Sequence, residues 1–70
     1  MKYVYVIEQA DDGSFSAYVP DLPGCTTSGE TADEVRHNIK DAVDSYVGSL
    51  RDHNEPIPPP RSVVDFVDAA

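Results

Sequence analysis

Hydrophobic and polar positions alternate over residues 2–8, KYVYVIE, a run of Val, Ile and Tyr suited to a pleated surface. Residues 9–13, QADDG, interrupt the pattern, and Asp12-Gly13 is a strong tight-turn signal. Alternation resumes over residues 14–19, SFSAYV, with Phe15, Ala17 and Val19 on one face and Ser16 and Tyr18 on the other. Strand, Asp-Gly turn and strand predict a β-hairpin. The next residues, 20–24, read PDLPG. Their prolines and glycine cannot continue a ladder and impose a fixed bend. Residues 25–28, CTTS, read as a short third strand that Gly29 ends.

The period then changes from two to between three and four. Val35, Ile39, Ala42, Val43, Tyr46, Val47 and Leu50 fall on one stripe of a helix. Arg36, His37, Lys40, Asp41, Asp44 and Arg51 fall largely on its other side. Thr31-Ala32-Asp33-Glu34 is a capping box that opens this helix, with Asp33 and Glu34 suited to the positive end of its dipole. The helix is expected from about residue 32 to about residue 53, roughly 33 Å long. Residues 55–61, EPIPPPR, stop it and favour an extended polyproline path back over it. Residues 62–67, SVVDFV, read as a final strand, and residues 68–70 as a frayed end.

The expected fold is therefore α+β, in the order β-β-β-α-β. A helix between strands acts as a crossover. The simplest arrangement is a mixed four-stranded sheet of order 3-2-1-4, strand 4 parallel to strand 1, with the helix on one face. Residues 1–70 form one domain. Tyr3, Tyr5 and Ile7 point to one face of strand 1, Val4 and Val6 to the other. Strand 4 sets Val63 and Val67 against Val64 and Phe66 in the same way. Two apolar faces and one helix leave a face for a second subunit or another protein. The alternative is that the tyrosine rings lie half-exposed at the rim.

Size and charge narrow the function. A 70-residue chain buries only ~60% of the surface its unfolded form exposes, so a lone core is marginal. Cys25 is the only cysteine, which excludes a disulfide staple and, without an export signal, fits a cytoplasmic protein. Thirteen acidic residues against five Lys and Arg give a net charge of -8. That balance argues against direct nucleic-acid binding, which relies on basic side chains neutralising phosphates. It also disfavours an anionic membrane surface, and no run is long and apolar enough to span a bilayer.

Chemistry is sparse. His37 and His53 are far apart in sequence and pair with no Cys or His at metal-ligand spacing. Cys25 has no evident base to activate it and reads as a small packed hydrophobe. Asp11 and Asp12 suit the turn, and Asp21 the bend. A metal-dependent nuclease needs carboxylates converging on one point, and no spacing supplies that. Glycines 13, 24, 29 and 48 form no phosphate loop. No catalytic residue, metal site or cofactor is expected, and by elimination the chain is a binding domain rather than an enzyme.

The most distinctive stretch is FSAYVPDLPGC from Phe15 to Cys25, followed by Ser28-Gly29-Glu30-Thr31 and Asp33-Glu34-Val35. It closely resembles the N-terminal domain of HicB-type antitoxins, with their F-x-A-x-x-P-D-L-P-G-C, G-[DE]-T and E-A signature. The helix containing Asn38, Ile39 and Ala42 and the segment Ile57-Pro58 extend the resemblance over essentially the whole chain. Val35 stands where the family usually has alanine. The resemblance implies a partial RNase H-like fold and a partner, a HicA toxin, which is a small basic RNA-binding mRNA interferase that the antitoxin blocks. It also implies a homo-oligomer, here through the sheet face. Full-length members add a C-terminal DNA-binding segment. Only three residues follow Val67, so that segment is expected to be absent and autorepression is not carried over.

The motif residues Phe15, Ala17, Pro20, Asp21, Pro23, Gly24, Gly29, Thr31 and Glu34 are of turn, cap and core type, and are expected to shape the fold. The partner-binding residues are left open. The expected function is binding and neutralising a HicA-type toxin. The alternative is an orphan dimeric scaffold or small-ligand module with no toxin.

Overall fold

A computed structural model describes all of residues 1–70. Three strands, β1 (Val6–Gln9), β2 (Phe15–Tyr18) and β3 (Thr26–Gly29), precede one helix, α1 (Ala32–Asp52). The strands form an antiparallel sheet of order β1-β2-β3. The hairpin turn closes through Gly13 N–H to Ala10 O at 2.9 Å and Ala10 N–H to Ser14 O at 2.8 Å. Gly13 sits at φ +90°, where a Cβ would be strained.

The expected four-stranded sheet of order 3-2-1-4 is not formed. No strand follows α1, and no parallel pairing exists. After α1 the chain runs back to the end of the sheet where β1 begins. There the Tyr3 hydroxyl donates to the Pro58 carbonyl. The Asp21 carboxylate then takes Arg61 N–H at 2.8 Å and Ser62 N–H at 2.9 Å. These contacts carry the chain across the end of the sheet to the β2–β3 bend. It is led past the start of β1 rather than alongside it. Residues 63–70 continue into solvent, with Val63, Phe66 and Val67 about nine-tenths exposed.

β1 is also shorter than the alternation predicts. Its ladder stops at Val6 opposite Tyr18. Beyond Tyr18, the Val19 N–H is taken by Cys25 O at 3.1 Å, and Pro20 has no N–H to give. Residues 2–5 therefore have nothing left to pair with on β2.

The core lies between the sheet and α1. Ala17, Val19, Leu22, Cys25, Val35 and Ile39 are buried, and Tyr3, Ile7, Phe15, Ala42, Val43, Tyr46 and Val47 pack around them. α1 lies over β2 and β3. Its start is capped by the Thr31 hydroxyl, which accepts Glu34 N–H at 3.1 Å. Its end is set by Asn54, not by the prolines. Asn54 adopts φ +55°, and its N–H and that of Glu55 close on Arg51 O and Leu50 O. This is a Schellman closure, with Asn in the left-handed position that Gly usually fills.

On the sheet face away from α1, Val4 and Val6 are half-buried and Tyr18 is 40% exposed. They are bordered by exposed Glu8, Ser16, Thr26 and Ser28. That face is less apolar than strand 1 alone suggested, because β2 and β3 contribute mostly hydroxyl side chains to it.

Candidate partner-binding surface

The motif residues gather around the bend and the start of the helix. Ala17 is buried and Phe15 packs half-buried on the core. Pro20 and Pro23 are exposed in the bend, and the Pro23 carbonyl accepts the Tyr46 hydroxyl at 2.9 Å. Between them Leu22 turns inward and is fully buried. Leu22 N–H bonds Val19 O at 3.1 Å, and Cys25 N–H bonds Leu22 O at 3.0 Å. Gly24 takes φ +81°, a left-handed conformation that favours glycine. At Gly29 a Cβ would stand 3.1 Å from both Glu34 Oε1 and Val35 Cγ2. The first turn of α1 can approach β3 closely because that side chain is missing. Thr31 supplies its half of the capping box, whereas the Glu34 carboxylate lies against Gly29.

Asp21 does more than the bend requires. Besides the two main-chain N–H groups, its carboxylate accepts the Ser62 hydroxyl at 2.9 Å. The Ser62 and Arg61 N–H groups hold its carboxyl below the usual aspartate range. A carboxyl depressed in the folded chain keeps the anchor complete above the ordinary Asp value of about 3.9. The anchor is lost as pH falls below that value through the folded one. At neutral pH, Asp21→Ala is expected to release the tail while the rest of the fold stays in place. The Arg61 and Ser62 amide resonances should move to random-coil positions. In the parent chain the same two resonances should move only on acidification. No single residue in 20–24 signals this contact, because its partners lie 40 and 41 positions away.

The strand register collects acidic residues at the opposite end of the molecule. Gln9 faces Phe15 and Phe15 faces Gly29. The Asp11-Asp12 turn therefore stands beside Glu30, and Asp33 and Glu34 follow in the first turn of α1. Asp12, Gly13, Ser14 and Glu30 line one shallow polar depression there. Ser14, through its hydroxyl first and its N–H second, holds the Asp12 carboxyl below its usual range. Every acidic residue except Asp21 is exposed. Only Asp33 forms an ion pair with a side chain of fixed positive charge, Arg36 at 2.6 Å. The surface is thus a field of largely uncompensated negative charge, densest at this end.

Nothing gathers for catalysis. No three His, Cys, Asp or Glu side chains come together as a metal-binding group. Cys25 is buried, and burial pushes its thiol up, away from the reactive thiolate. His37 and His53 are both exposed. His37 lies 3.6 Å from Asp41, and His53 Nδ1 is 2.7 Å from Ser49 O. No helix is long and apolar enough to cross a membrane.

Comparison with known proteins gives this arrangement a context. The family described as HicB-like antitoxin of bacterial toxin-antitoxin systems matches residues 3–70. A UPF0150 protein of Thermoplasma acidophilum is 48% identical over 58 residues, covering 83% of this chain and 84% of its own. Antitoxin HicB 1 of Photorhabdus laumondii is 32% identical over 69 residues, 97% of this chain but 44% of that protein. Among solved structures, a chain in a HicA3 and HicB3 toxin-antitoxin complex superposes with a TM-score of 0.70 at 26% identity. The superposition covers 86% of this chain and 70% of that one.

Proposed function

Because this chain belongs to the HicB-like antitoxin family of bacterial toxin-antitoxin systems, we propose that it binds and neutralises a small basic HicA-type mRNA interferase. Its role is that of a binding protein, not an enzyme. The reading is carried by one physical observation, the exposed acidic end formed by Asp11, Asp12, Glu30, Asp33 and Glu34. A toxin that binds RNA presents a positive surface, and a -8 chain attracts it over long range. Neutralisation then consists of covering the surface that RNA would occupy. Both proteins would meet in the cytoplasm, where the toxin's messenger RNA is found.

Two further parts complete the reading. The motif residues from Phe15 to Glu34 act by holding the fold, and the toxin is met by the charged side chains around them. The chain also self-associates, with Val4, Val6 and Tyr18 on the open sheet face as its apolar contribution.

Co-expression with a HicA-type toxin tests the toxin reading. The expected result is a co-purifying complex and rescue of growth from toxin arrest. Arrest that persists, with no complex formed, overturns it.

A further inference from the structure

The tail after Ser62 and the outer edge of β1 are left unsatisfied in a single chain, and each offers what the other lacks. β1 pairs only with β2, so its outer N–H and C=O groups face solvent. An open edge of this kind is a template for another strand. The tail alternates like a strand yet pairs with nothing, and Val63, Val64, Phe66 and Val67 are 88%, 57%, 91% and 93% exposed. Apolar side chains so displayed mark an interaction surface.

We infer that two copies of this chain exchange their tails, each laying residues 63–67 along the outer edge of the other's β1 and its leading residues. The tail does not pair with its own edge. It is pinned at Asp21 after passing the start of β1. Residues 61–70 contain neither glycine nor proline, the residues that most favour a sharp reversal.

The side chains match on both faces. Beside the chain leading into β1, on the α1 side, lies a cleft of about 200 Å³ lined by Met1, Tyr3, Val43, Asp44, Val47 and Arg51. It is open because α1 sits over β2 and β3. A strand added at this edge places alternate residues on alternate faces. Val64 and Phe66 enter the cleft, with Asp68 following toward Arg51. Val63 and Val67 extend the Val4 and Val6 face, with Asp65 toward Lys2.

The cations at this edge favour an acidic segment such as the tail of a second copy. The ion pairs in the chain are Arg36–Asp33 and His37–Asp41, so Lys2 and Arg51 have no carboxylate partner. A basic toxin would meet these two cations as repulsion, whereas an acidic tail meets them as attraction. The exchange is reciprocal, so one two-fold contact satisfies both edges and both tails. Two tails with their partner surfaces bury on the order of 1,000 Å² or more, the range of specific association.

This deepens the self-association part of the proposed function and does not involve the toxin. Sedimentation equilibrium on the purified full chain up to about 100 μM tests it. The parent chain is expected to dimerise. Phe66→Asp should raise the dimer dissociation constant at least about tenfold, with an unchanged melt at concentrations where both chains are monomeric, because Phe66 is exposed in the single chain. Arg51→Glu should weaken the dimer less, and adding Asp68→Lys to it should restore affinity. A monomer throughout overturns both this inference and self-association. A dimer that is indifferent to Phe66→Asp but lost in Tyr18→Asp overturns the tail exchange and leaves the sheet-face contact standing.

Discussion

Replacing Leu22 by Ala is expected to lower the melting temperature by about 10–30 °C. Leu22 belongs to the bend, not to a strand or helix, yet it is one of the few residues excluded from solvent. The bend turns it inward between Val19 and Cys25, where it joins Val35 and Ile39 of α1 in one buried cluster. Removing a buried leucine side chain costs about 2–5 kcal/mol, through lost transfer energy and the cavity left behind. A domain of this size has roughly 4–10 kcal/mol in all. The core holds only six buried residues, so losing one of its largest side chains removes a sizeable share of it. Leu22→Met keeps most of the volume and should cost under about 1.5 kcal/mol. Thermal unfolding of the two variants checks the claim. Equal losses would mean that the bend, and not the buried side chain, carries the stability.

Reversing the charge at Asp11 and Glu30 is expected to slow capture of a HicA-type toxin about tenfold or more at low salt, within the range that electrostatic steering spans. Neither side chain accepts a hydrogen bond in the fold, so Asp11→Lys with Glu30→Lys should melt like the parent. The difference from the parent should shrink as salt rises, since screening shortens the reach of the field to about 10 Å at 0.1 M. The same two changes made at the far end of α1, at Asp52 and Glu55, alter the net charge equally. A smaller effect there would place the contact at the hairpin end. Stopped-flow association at several salt concentrations measures both pairs. Rates independent of salt would remove charge as the basis of recognition.

The hairpin, the bend and the helix are legible in the sequence because local chemistry determines them. Asp12-Gly13 specifies the turn, and Thr31 specifies the helix start to the residue. The prolines after Glu55 read as the helix stop, but Asn54 had already closed α1 in a left-handed conformation. Asn is the usual substitute for Gly there, so that signal was present. The fourth strand failed for a different reason. Residues 62–67 have the composition of a strand, but pairing depends on where the chain is delivered. Delivery is decided by Asp21 and Tyr3, which reach across 40 and 55 positions to Arg61 and Pro58. Long-range polar anchors leave no mark in hydrophobic periodicity. The family motif is fully visible in the sequence, yet the proposed function assigns its residues to holding the fold and leaves the contact surface to the charges around them. The acidic end becomes a surface only when the strand register brings Glu30 beside Asp12.

The most direct measurement is the RNA-cleaving activity of a HicA-type toxin titrated with the purified chain. Cleavage is expected to fall linearly and to be abolished near one chain per toxin, with inhibition weakening as salt rises. Cleavage that continues undiminished in excess chain would contradict it.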